Sequence, residues 1–104
     1  MVGTDNKTIE ETNTKDEEKF EEPKMYKVVL HNDDYTPMDF VSKILCQVFH
    51  MQEAAADSVT LAVHEKGKGI AGVFTKEIAE MKVATTKFLS KKFEHPLETT
   101  MEQE

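Results

Sequence analysis

What this chain lacks narrows its function before any motif is read. It holds one cysteine, Cys46, in 104 residues. A lone thiol closes no internal disulfide, and no CxxC knuckle exists to grip a metal. Cys46 stands inside an apolar periodic run, where a small buried hydrophobe is expected. Positive charge is scarce: 13 basic residues against 20 acidic ones leave a net charge of −7. A nucleic-acid partner needs a basic face, and an anionic membrane surface does not attract such a chain. No apolar run has the length of a membrane span. The first residues, acidic and polar, look like neither a secretory signal nor an Arg- and Ser-rich transit peptide. The expected setting is a reducing cytoplasm. Internal repeats and low-complexity tracts are also missing, and the length suffices for one small domain with one modest core.

What is present falls into two parts. Residues 1–24 carry eight acids and four lysines, with few large apolar side chains. Such a segment buries too little to offset its ordering entropy, so a flexible tail ending near Pro23 is expected, followed by a folded domain over 25–104. MYKVVLHN reads as a well-covered strand. Thr36-Pro37-Met38-Asp39 reads as a helix start, with Thr36 as cap, Pro37 at the first position and Asp39 completing a capping box. Phe40, Val41, Ile44, Leu45, Val48 and Phe49 follow at helical spacing. A second helix is expected from Glu53 to Glu65, then a strand over IAGVF. A third helix is expected from Lys76 to Lys92, with Ile78, Met81, Thr85 and Phe88 as its apolar positions. Leu97–Met101 alternates as a third strand. The order β-α-α-β-α-β predicts an α+β fold, a small sheet with helices over one face.

GKGIAG at 67–72 matches the glycine spacing of a dinucleotide fingerprint, but the context is inverted. That fingerprint needs a strand before it and a helix after it. Here a helix precedes and a strand follows, so Gly67 reads as a helix stop and Gly72 as a strand position with a close neighbour. A zinc site from His31, Asp33 and His64 has no H-x-x-x-H spacing behind it. An acid/base enzyme on Asp33, Asp34 and His64 has no nucleophile: Cys46 is in an apolar run, and Ser42 and Ser58 belong to helices. The stretch LHNDDYTPMDF suits binding better. If the second helix packs back along the first, His64 at its end faces Asn32 and Asp34. An amide oxygen, a carboxylate and an imidazole nitrogen are three acceptors, the complement of an ammonium with three donors. A structural interaction module remains a rival, since Asn and Asp are also ordinary turn residues.

The stretches MYKVVLHNDDYTPMDFV, LAVHEKGKGIAGVFTKEIAEMKV and EHPL resemble the ClpS family, adaptors that deliver N-degron proteins to the Clp protease. The resemblance runs from about Pro23 to the end of the chain. It implies a two-layer sandwich of three antiparallel strands and three helices, monomeric, with no catalytic activity and no cofactor. It implies α-amino contacts on Asn32, Asp34 and His64, with Asp33 beside them. It implies a pocket for a first residue Leu, Phe, Tyr or Trp on Thr36, Met38, Val41, Val63 and Leu97, with Thr60 at the rim. It implies contact with the N-terminal domain of a ClpA-type AAA+ unfoldase on Glu77 and Lys82, and a tail needed for handing the substrate over. Thr60 departs from the bacterial relatives, which usually carry a methionine there. Its shorter side chain leads to the expectation that Ile or Val is admitted more readily.

Overall fold

The computed structural model describes residues 22–104. The tail expected over 1–24 lies outside them except for its last three residues. Six elements follow: β1 (Met25–His31), α1 (Met38–Gln47), α2 (Glu53–Lys66), β2 (Lys68–Thr75), α3 (Lys76–Lys92) and β3 (Glu98–Gln103). The sheet has the order β2-β1-β3, with both pairings antiparallel. β1 is thus central, which explains its composition: Val28, Val29 and Leu30 are all buried. The register against β2 shifts between Val28 and Val29, where Gly72 and Ile70 are the partners and Ala71 is the extra residue.

Val28 and Leu30 face the helices and meet Val41, Ile44, Leu45 and Val48 from α1 and the turn after it, Ala56 and Val63 from α2, and Ala79 from α3. α1 is the strongly amphipathic helix. α2 buries Ala56, Thr60 and Val63, a spacing of four and then three that lies on one helical stripe. Cys46 is half-buried against this core rather than inside it.

Two local expectations are corrected. Thr36 does not cap α1. The helix begins one residue later than its hydroxyl could serve, with Pro37 as the capping position and no side-chain cap. The Thr36 hydroxyl instead donates to Asp33 Oδ2 at 2.7 Å. The larger correction concerns α3. Ile78, Met81 and Phe88 are 45, 67 and 65 % exposed, while Ala79, Thr86 and Ser90 are the buried residues. The sheet takes the face of small side chains, and their hydroxyls cost little there. Thr86 Oγ1 donates to the Lys82 carbonyl and Ser90 Oγ to the Thr86 carbonyl, each at 2.8 Å, so no donor is orphaned.

α3 ends before His95-Pro96 acts. Glu94 adopts φ 60°, its N–H reaches the Lys91 carbonyl at 3.1 Å, and the His95 N–H reaches the Ser90 carbonyl at 2.8 Å. This is a Schellman closure with a non-glycine residue in the left-handed position. It turns the chain so that Leu97 is buried and Glu98 pairs with His31.

Thr99, opposite Leu30 in the sheet, is fully buried, and its hydroxyl has no hydrogen-bond partner. Thr99→Val keeps the shape and removes the unsatisfied group. We expect it to stabilise the domain by about 1 kcal/mol, a rise of roughly 4–8 °C in Tm for a domain of this size. Calorimetry of the two proteins checks this; a lower Tm in the variant would show that the hydroxyl is satisfied by a buried water.

Candidate amine and side-chain site

One cavity of about 220 Å³ opens where the end of β1 meets the end of α2, lined by His31, Asn32, Asp33, Asp34, Thr36, Met38, Val41, Thr60, Val63, His64 and Leu97. The fold brings these residues together through a few main-chain links. Gly67 takes the left-handed conformation at φ 91° and ends α2, its N–H bonded to the Val63 carbonyl at 3.0 Å. Its own carbonyl accepts the N–H of Asn32 at 2.9 Å. That bond ties the first residue after β1 to the residue after α2, and so carries His64, one turn earlier, to the NDD corner. Met38 and Val41 arrive from the first turn of α1, and Leu97 from the loop before β3.

The cavity has two kinds of wall. Asn32, Asp34 and His64 are exposed, while Val41, Val63 and Leu97 are buried. Acceptors therefore stand at the mouth and apolar surface lies behind them. Thr60 is not at the rim. It is only 4 % exposed, on the same buried stripe of α2 as Ala56 and Val63, and its hydroxyl turns back to the Ala56 carbonyl at 2.7 Å. This satisfies the hydroxyl within α2, and Thr60 is part of the buried wall.

The neighbouring carboxylates differ sharply. Asp33 Oδ1 accepts the N–H of Tyr35 at 2.8 Å and that of Thr36 at 2.7 Å, and Oδ2 accepts the Thr36 hydroxyl. Partial burial raises the Asp33 pKa. The Thr36 hydroxyl, the two N–H groups and the charge of His95 outweigh it, so the carboxyl titrates below its ordinary 3.8. Asp33 braces the turn. No donor among the described residues reaches Asp34, which leaves its carboxylate open to a ligand.

His31 lines the cavity although the sequence offered it only as a metal candidate. Its Nε2 lies 2.7 Å from Thr100 Oγ1 and its Nδ1 4.0 Å from Glu98, so the ring is held against β3. Among the described residues, no group of three His, Cys, Asp or Glu side chains is arranged to hold a metal ion.

Glu77 and Lys82 lie away from this cavity on α3. Glu77 is exposed in the first turn. Lys82 is half-buried: its ammonium donates to the Val48 carbonyl at 2.6 Å and lies 5.9 and 5.8 Å from the ring centres of Phe49 and Phe74. No described helix is long and apolar enough to cross a membrane.

Comparison with known proteins agrees with this architecture. The family model described as ATP-dependent Clp protease adaptor protein ClpS matches residues 21–100. The ATP-dependent Clp protease adapter protein ClpS of Vibrio atlanticus is 54% identical over 89 residues, covering 86% of this chain and 84% of the relative. That of Shewanella piezotolerans is 47% identical over 103 residues, covering 99% of both. The solved structure of Agrobacterium tumefaciens ClpS2 bound to L-phenylalaninamide superposes with a TM-score of 0.77 at 41% identity, covering 80% of this chain and all of the other. The chain belongs to the ClpS family of ATP-dependent Clp protease adaptor proteins.

Proposed function

We propose that this protein is a non-enzymatic adaptor. It captures proteins whose free N-terminal residue is Leu, Phe, Tyr or Trp and delivers them to a ClpA-type AAA+ unfoldase in the cytoplasm. The observation that carries the reading is the two-part cavity, with Asn32, Asp34 and His64 at its mouth and Met38, Val41, Val63 and Leu97 along its wall. An α-amino group has a pKa of about 7.7–8.0 and is largely protonated near neutrality. Its three donors match three acceptors, and the bond to Asp34 is charge-assisted. An internal peptide offers no such cation, so the acceptors would lose their water without a partner. At about 220 Å³ the cavity is smaller than the roughly 300–1,000 Å³ of drug-sized sites, which suits one side chain. Burying that side chain adds roughly 1.5–3 kcal/mol. The phenylalaninamide held by the Agrobacterium relative has the same two parts, a free amine and one apolar side chain.

In this reading the core domain spans 25–104 and acts as a monomer, with the segment before it serving in delivery. α3 is the docking face: Glu77 is flanked by the exposed Ile78 and Met81, an apolar surface with a charge beside it. Lys82 contributes there by holding α3 against the turn after α1.

The test is binding of a labelled Phe-first peptide against the same peptide N-acetylated. Micromolar binding lost on acetylation is expected, and equal binding of the two would favour a structural interaction module. Ile-first and Leu-first peptides in the same titration read the effect of the short Thr60. We expect Thr60→Met to raise the preference for Leu, and an unchanged ratio would remove Thr60 from specificity.

A further inference from the structure

We propose that Tyr35 is a specificity-determining residue whose ring contacts the second residue of the bound chain. The inference rests on the reading that the cavity holds a chain's first residue. With the amine at Asn32, Asp34 and His64 and the side chain in the cavity, the rest of the substrate must leave across the rim. The turn over residues 32–36 forms one side of that rim. Asp34 and Thr36 both line the cavity; Tyr35, between them in sequence, is not part of that lining and stands outside the cavity.

Tyr35 is 80 % exposed, more than any other large apolar side chain among the described residues. A single exposed aromatic needs no explanation by itself. Here, however, its base is pinned. Its N–H and that of Thr36 both donate to Asp33 Oδ1, at 2.8 and 2.7 Å. The turn uses the main chain of Tyr35 and leaves the ring unused, since Tyr35 takes no part in the hydrophobic core. An aromatic ring on a fixed base has few torsions to freeze, so it gives contact area at low entropic cost. It stacks on or covers an apolar neighbour. The expected preference is therefore for an apolar or aromatic second residue over glycine.

The experiment compares wild type, Tyr35→Ala and Tyr35→Phe with three ligands: phenylalaninamide, which ends after the first residue, a Phe-Gly peptide and a Phe-Leu peptide. Tyr35→Ala is expected to leave phenylalaninamide affinity unchanged. It should weaken the Phe-Leu peptide about threefold to tenfold, to the level of the Phe-Gly peptide, while Tyr35→Phe retains wild-type affinity. A parallel loss for all three ligands would mean that Tyr35 only holds the turn, and unchanged affinities throughout would mean that the ring is idle; either overturns the inference. Failure of wild type to bind phenylalaninamide would instead strike the reading of the cavity itself.

Discussion

Asp34→Ala is expected to weaken binding of a Phe-first peptide on the order of 10- to 100-fold while leaving the thermal midpoint within about a degree of wild type. The binding loss follows from removing an ionised acceptor opposite an ammonium, an interaction worth roughly 1.5–3 kcal/mol. The thermal neutrality follows from Asp34 being exposed and taking no donor from the described residues. The residue before it is the internal control. Asp33 accepts three hydrogen bonds from Tyr35 and Thr36, so Asp33→Ala should lower Tm and loosen the whole turn. Calorimetric titration together with a melting curve for each variant separates the two roles. If Asp34→Ala binds as wild type does, the amine is not held at this corner.

The second large effect comes from a position that no polar motif marks. Gly69 lies on β2 opposite Leu30. A methyl group added there would stand 2.7 Å from Val63 Cγ2, and 3.5 Å from both Val59 Cγ1 and the Val59 carbonyl. Val63 is buried and lines the cavity, and its branched side chain is too short to swing aside. Gly69→Ala therefore has to push α2 off the sheet or move the cavity wall. Overpacking of this kind costs about 1–3 kcal/mol. Because the displaced atoms belong to the pocket, we expect a loss of peptide affinity of roughly threefold to thirtyfold as well. Val63→Ala makes room for the new methyl. The double variant should thus be more stable than the sum of the two single losses, a coupling that a double-mutant cycle measures. Strict additivity would place the damage elsewhere.

Gly69 also shows where reading a sequence stops. The spacing of 67–72 matches a cofactor pattern whose flanking helix and strand are inverted, so it carries no cofactor meaning. Gly67 was legible as a helix stop, because a left-handed end after a periodic run is a local matter. Gly72 was legible as a close approach, and a Cβ there would meet the Phe74 ring at 2.6 Å. Gly69 was not, because its constraint comes from a side chain on another element.

The same division runs through the rest of the chain. The central strand, the span of α3 from Lys76 to Lys92 and the element order were readable from periodicity and polarity, each of which depends on neighbours within a few positions. The meeting of the NDD corner with His64 was conditional on α2 packing back along α1, and the main-chain bond from Asn32 to Gly67 brings it about. The face that α3 buries was not readable: apolar size pointed to Ile78, Met81 and Phe88, and the sheet instead took Ala79, Thr86 and Ser90. The depth of Thr60, the capture of Lys82 by the Val48 carbonyl and the spending of Asp33 on its own turn were hidden for one reason. A hydroxyl, an ammonium or a carboxylate declares its chemistry in the sequence, but which partner satisfies it depends on what the folded chain brings within about 3 Å. The sequence by itself determined which groups could meet an amine. The tertiary structure alone decided which of them are left free to do so.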